Sequence, residues 1–201
     1  NLETDWSLGY RGALGEVKYD VGGTYIYYPN ANFSKTGNNV QYREAKLNTV
    51  ELYASLNWKW FTVKGGVNPT QFYGWNTNNS GSQAATPATV PSFHKNTQGV
   101  NPHGSTNGSG YLVVSGSYDL PAGFNIAGEV GRQHVADSTD LDWTWYKAGI
   151  TKSFDGGWAV NAFYTGTAGT DAYKDFASFA NTSQKYTIDN SKVVIGVSKA
   201  F

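Results

Sequence analysis

Between Val50 and Trp60 the chain alternates without a break: Val50, Leu52, Ala54, Leu56, Trp58 and Trp60 are apolar, while Glu51, Tyr53, Ser55, Asn57 and Lys59 carry polar groups. Successive Cβ atoms leave opposite faces of a strand, so this period of two sets one row in an apolar medium and the other among polar groups or water. The same signature recurs in residues 2–12, 17–27, 61–67, 112–120, 124–130, 158–166 and 193–201. Residues 143–154 follow it less regularly, because Trp143, Trp145 and Tyr146 interrupt the alternation. Nine strands are expected.

The connections between them alternate in length. A tight turn at 13–16 follows the first strand, and a polar segment, about 29–46, follows the second. The third and fourth strands meet at Trp60 and Phe61, after which residues 69–109 are rich in Asn, Ser, Thr, Gly and Pro. Residues 121–123 and 155–157 are short turns, 134–141 is moderate, and 168–190 is long again. All the short turns fall at one end. Loops beyond ~12–15 residues are uncommon in compact soluble domains, whereas short turns on one rim and long loops on the other are the habit of outer-membrane β-barrels. The expectation is an all-β single domain over 1–201, an antiparallel transmembrane β-barrel with external loops at about 29–46, 69–109 and 168–190.

Composition narrows the chemistry. Gly (24 residues) and aromatics (7 Trp, 14 Tyr, 10 Phe) are in excess, and charged residues are only 15% of the chain. With no cysteine there is no disulfide framework, thiol nucleophile or thiolate metal cluster. Fifteen basic and fifteen acidic side chains cancel, with pI near 7.0, so the electrostatic footprint of a nucleic-acid binder is missing. Mean hydropathy is -0.46, and no run approaches the ~20 apolar residues of a spanning helix.

Aromatic residues fall where a spanning barrel needs them. Trp58, Trp60, Phe61, Phe124, Phe154, Trp158 and Phe201 flank the short turns or the matching chain end, and Tyr25, Tyr27, Tyr28, Phe72, Tyr73, Trp75, Trp143 and Trp145 flank the longer loops. Two belts of amphipathic rings bracketing an apolar band suit the headgroup layers. Leu2-Glu-Thr-Asp-Trp6, Gly9-Tyr-Arg-Gly12, Gly15-Glu-Val-Lys-Tyr-Asp-Val-Gly22 and Tyr27-Tyr-Pro29 together resemble the TorF family of porins from Gram-negative bacteria. Val50-Glu-Leu-Tyr-Ala54, Trp60-Phe-Thr-Val-Lys64, Tyr118-Asp-Leu-Pro-Ala-Gly123, Lys147-Ala-Gly-Ile-Thr-Lys-Ser-Phe154 and the terminal Lys192 to Phe201 stretch agree. The chain departs from the family in a longer 69–109 segment and in lacking a stretch before Leu2. The resemblance implies an outer-membrane barrel but transfers no substrate and no site residue. Phe201, with Val193, Ile195 and Val197 on its face, also resembles the C-terminal signal read by the barrel assembly machinery; Lys199 interrupts that face and can snorkel at a membrane rim.

If the apolar rows meet lipid, the opposite rows face a lumen. Those rows carry Glu3, Asp5, Arg11, Lys18, Asp20, Glu51, Lys64, Glu129 and Lys147. Acids and bases are nearly matched, so they fit either a structural network that partly fills the lumen or a narrow channel for small polar or zwitterionic solutes; a one-sign ring would give ion selectivity. His94, His103 and His134 lie in expected loops without companions at metal-ligand spacing. His134 has Asp137, Ser138 and Asp140 nearby, the residue types of an acid–base pair, but a polar loop meets that description by chance. Asp171, Asp175 and Asp189 have no EF-hand spacing. Gly108-Ser109-Gly110 is followed by Val113 where a phosphate-binding loop needs its third glycine. No cofactor, metal or catalysis is expected.

The expected function is therefore passive diffusion of small polar solutes through an outer-membrane porin-like channel. One alternative is a plugged barrel serving adhesion or assembly, and another is a soluble lectin-like β-sandwich in which Trp75 and residues 76–80 hold a sugar. Expected partners are outer-membrane lipids, small polar solutes, the assembly machinery and further copies of the chain in a homo-oligomer. Leu52, Leu56, Val114, Ile126, Val160 and Ile195 are expected to face lipid. Parity adds a geometric expectation: with nine antiparallel strands the first and last run the same way and cannot pair to close a barrel. An odd number of further strands, three for a twelve-stranded barrel, would then precede Asn1.

Overall fold

Alternating side chains and turn-forming glycines give the chain little choice but strands. The computed structural model describes residues 2–32, 45–76, 104–138, 141–169, 176–177, 185–187 and 189–200. Its strands are β1 (Thr4–Leu14), β2 (Val17–Tyr27), β3 (Thr49–Trp58), β4 (Phe61–Val67), β5 (Gly110–Leu120), β6 (Phe124–His134), β7 (Trp143–Ser153), β8 (Trp158–Gly169), β9 (Phe176–Ala177), β10 (Lys185–Tyr186) and β11 (Ser191–Lys199). Strands β1 to β8 and β11 form one nine-stranded sheet in which each pairs antiparallel with its neighbours in the order β1-β2-β3-β4-β5-β6-β7-β8-β11. Strands β9 and β10 make a separate two-stranded ladder inside the stretch expected to be one long loop.

The tight connections sit at one end, as expected. Gly15 (φ 62) and Gly156 (φ 75) occupy left-handed positions there, where a side chain would be strained. Several strand ends lie beyond the expected ones. β5 starts at Gly110, β6 runs through Gly131 to His134, and β8 reaches Gly169. Glycines carry no side chain to mark a face, so the alternation fades from the sequence before the ladder does. Trp60 lies in the turn after β3, and Phe201 lies outside the described residues.

The sheet is not closed into a barrel. β1 and β11 lie at opposite ends of the strand order and, being an even number of antiparallel steps apart, run in the same direction. No α-helix occurs among the described residues, and no helix is long and apolar enough to cross a membrane.

One face of the sheet is apolar and exposed. Among the described residues the buried hydrophobic side chains are Trp75 and Val135, both beside the longer connections. Leu8 is 85% and Ile195 73% exposed. Leu52, Leu56, Ile126 and Val160 are exposed too, and Val114 is half-buried between its cross-strand partners Val63 and Val130. A soluble sandwich would pack these residues against a second layer. Trp75, named in the lectin alternative, is buried, and residues 77–80 lie outside the described residues.

Candidate functional site: the polar face of the sheet

Paired residues in a ladder share a face, so the register assigns every side chain to one of two surfaces. Asp5, Arg11, Lys18, Asp20, Glu51, Lys64, Glu129 and Lys147 all fall on the face opposite Leu52 and Ile195, and Glu3, just before β1, continues that row. The structure also brings many of them into contact. Arg11 and Asp20 are cross-strand partners, and Arg11 Nε donates to Asp20 Oδ2 at 2.8 Å. Tyr53 Oη donates to Asp20 Oδ1 at 3.1 Å. Lys64 Nζ lies 4.6 Å from the Tyr53 ring centroid and 5.7 Å from that of Tyr111, within cation–π range. Tyr111 Oη in turn donates to Glu51 Oε1 at 2.8 Å. A chain of polar contacts thus crosses from β1 to β5.

A second group lies on β6 to β8. Glu129 and Lys147 are cross-strand partners. Trp145 Nε1 donates to Glu129 Oε1 at 2.6 Å, and Lys147 Nζ sits 4.1 Å over the Phe163 ring. Glu129, Lys147 and Phe163 border a cavity of about 350 Å³ with Asn57, Thr62 and Ser115 of β3, β4 and β5. A cavity that joins side chains from β3 through β8 requires this face to be concave.

Four aromatic rings on this face share one arrangement. Tyr53, Tyr111, Trp145 and Phe163 are the cross-strand partners of Gly22, Gly66, Gly131 and Gly149. A Cβ added at those glycines would come within 2.9 Å of Tyr53 Oη, 2.5 Å of the Tyr111 ring, 2.1 Å of the Trp145 indole and 2.2 Å of the Phe163 ring. The Tyr111, Trp145 and Phe163 rings therefore lie over a bare patch of backbone instead of standing into the concavity, and the Tyr53 hydroxyl reaches over Gly22. The glycine makes room for the ring, and the ring shields the glycine's backbone from competing water.

This corrects part of the expected girdle. Trp58, Phe61 and Trp158 occupy the apolar face at the short-turn end, but Trp143 and Trp145 share a face with Lys147. Two apolar-looking residues at odd positions, 143 and 145, conflict with the row of 146, 148 and 150; only the pairing of Gln133 with Trp143 and Gly131 with Trp145 resolves which row faces where. Trp143 instead helps close the long-connection end, its ring 6.4 Å from Phe72. Phe72 belongs to a single 3-10 turn, Phe72–Gly74, after β4, and Tyr73 in that turn reaches to within 6.4 Å of Tyr28. The described ends of the 69–109 segment thus fold across the polar face. Gln71 Oε1 accepts from Thr106 N at 2.9 Å and Thr106 Oγ1 at 2.8 Å, which ties the two ends together.

Glu3, Asp5 and Glu51 make this end acidic where it adjoins β1 to β3. A hydrogen bond to Glu3 is the main reason the Tyr28 phenol stays protonated above its ordinary range, with burial and the charges of Glu3 and Asp5 adding. Burial raises Tyr73 first, and the charges of Glu51, Glu3 and Asp5 raise it further.

His134 is on a strand end, not in a loop, and its contact is not with Asp137 or Ser138. Its Nδ1 lies 3.1 Å from Asp142 Oδ2. Asp142, which no local spacing singled out, also accepts from Arg132 Nη2 at 3.2 Å and from Val135 N at 2.8 Å. It becomes visible only through the β6–β7 register. Asp140, His94 and His103 lie outside the described residues, as do Asp171 and Asp175. Among the described residues no group of three acidic or histidine side chains is placed to hold a metal.

A family model of bacterial proteins of unknown function, Gcw_chp, matches residues 1–201. The chain belongs to the Gcw_chp family. No curated protein and no solved structure matches it. Membership fixes the kinship of the whole chain and leaves the chemistry to the two faces of the sheet.

Proposed function

We propose that this Gcw_chp protein is a passive, porin-like channel of the bacterial outer membrane, with the apolar face against lipid and the polar face lining a narrow lumen for small polar solutes. The observation that carries this is the inversion of burial: the apolar row is exposed while the polar row is hydrogen-bonded and concave. Water penalises such an outer face, whereas a bilayer rewards it and penalises any unpaired backbone. The TorF-like motifs and the segregation of short and long connections support the same reading. In a closed barrel the edges of β1 and β11 are covered by an odd number of further strands, since the two run the same way; three would give the even total of twelve found for single-chain bacterial barrels. No catalytic step or cofactor enters the proposal, and the assembly machinery and homo-oligomeric partners belong to it as well.

Reconstitution into planar bilayers tests the proposal. Discrete conductance steps are expected from folded protein, and a folded preparation without conductance would overturn the channel. A second reading then gains, a plugged barrel for adhesion or assembly, favoured by the contacts that Phe72, Trp143 and Tyr73 make across the polar face.

A further inference from the structure

The apolar face is not uniform. Near the long-connection end of β4 to β7 it is indented by a groove of about 670 Å³, bordered by Val67, Leu112, Val114 and Val130, with Arg132 and His134 at its upper end. Gly110 explains the indentation. It pairs with Val67 on one side and His134 on the other, so the apolar row has a missing side chain there. The gap cannot simply be filled in: a Cβ on Gly110 would lie 2.5 Å from the Gly66 carbonyl oxygen. From Val114 to Gly110 the groove follows the strand for four residues, roughly 13 Å, about half of an outer-membrane barrel's ~25 Å apolar band.

The charge at its upper end is one-sided. Arg132 is 64% and His134 54% exposed at the side chain, whereas Asp142, which both contact, is 10% exposed. The acid is turned inward, where it also accepts the Val135 amide. What the groove presents outward is therefore cation, and a guanidinium bonded through one nitrogen keeps further N–H donors for an anionic oxygen.

From this geometry we infer that the groove is a binding site for an anionic phospholipid, one whose headgroup carries no cation to offset its phosphate, with one acyl chain along Leu112, Val114 and Val130 and the phosphate against Arg132. The inference rests on the reading that the apolar face meets lipid. It adds that one position on that face selects lipids by headgroup.

The test uses the whole chain with vesicles of phosphatidylcholine alone or with added phosphatidylglycerol, followed by flotation and native mass spectrometry of the detergent-extracted protein. Flotation with both vesicle types, together with retained phosphatidylglycerol adducts well above phosphatidylcholine adducts, is expected. R132Q should reduce that preference about tenfold, as for loss of one bond to a charged group, and R132K should keep most of it. V130F keeps the cation and fills the groove, and should lower adducts of both lipids while the protein still floats. Inorganic phosphate in excess should compete weakly, since it lacks the chain. Flotation with equal retention of the two lipids, an unchanged preference in R132Q, or a dimer in place of lipid adducts would overturn the groove alone. Failure to float with either vesicle would overturn the lipid-facing reading and the groove together.

Discussion

The two faces of one sheet obey opposite rules. On the polar face, side chains find each other: Arg11 with Asp20, Tyr53 with Asp20, Tyr111 with Glu51, Trp145 with Glu129. On the apolar face, Leu8, Leu52, Leu56 and Ile195 are left exposed. In a soluble protein the second pattern would be a defect. The difference teaches that the medium outside this sheet is part of its stability. Glycines seat aromatic rings on both faces, Gly22, Gly66, Gly131 and Gly149 on the polar side and Gly12 beside Tyr19 on the apolar side, while Gly110 on the apolar side leaves a gap.

A charge placed on each face in turn gives the largest expected contrast. Ala54→Arg puts a cation mid-strand in the apolar row and should cost roughly 2–4 kcal/mol of folding stability in a bilayer. Ser55→Arg, one residue on and facing the polar side, should cost under about 1 kcal/mol. Urea titration of protein folded into vesicles measures both, and equal costs would erase the distinction between the faces.

Glycine substitutions sharpen the same contrast at smaller scale. Gly131→Ala would drive its methyl group into the Trp145 indole and should cost about 1–3 kcal/mol. Gly128→Ala on the apolar side meets nothing nearer than the Lys147 carbonyl oxygen at 3.7 Å, and should change stability by no more than about 0.5 kcal/mol. The midpoints of the same titration decide between them.

Ion preference should respond to one face alone. Glu51→Gln removes an acid from the long-connection end while leaving an amide oxygen for the Tyr111 hydroxyl, so folding should barely move and the cation-to-anion permeability ratio should fall. Leu56→Val should leave the reversal potential in a salt gradient where it was. A shift in the second variant and none in the first would reverse the assignment of lumen and lipid.

The smallest effect is expected at high pH. The folded protein holds the Tyr28 proton more tightly than the unfolded chain does, because Glu3 accepts its hydrogen bond. This contribution is complete below the ordinary tyrosine pKa of about 10 and is lost as pH rises through the raised folded value, since the unfolded chain ionises first. Tyr28→Phe should flatten the fall in folded fraction above pH 10, and identical alkaline profiles would show that the hydrogen bond carries no linkage.

Much of the architecture was legible because period two is a local property. Leu52, Leu56 and Trp58 against Glu51, Tyr53 and Ser55 declare a two-faced strand without any knowledge of its neighbours, and counting nine such segments predicted that β1 and β11 run the same way. The legible part ended at residues whose meaning depends on a partner. Trp143 and Trp145 looked like members of an interfacial belt, yet the β6 register turns them onto the polar face. The 168–190 segment hides a two-residue ladder too short to leave a periodic mark.

The sequence by itself determined the nine strands of the main sheet, the segregation of polar from apolar rows and the placement on one face of the eight nominated charges that lie within strands, because each follows from where Cβ atoms point along a single strand. Only the tertiary structure decided which charges touch, which glycine faces which ring, and that Asp142 lies beneath Arg132 and His134. Those outcomes depend on register between segments, and register is fixed by the sum of many cross-strand contacts that no one segment contains.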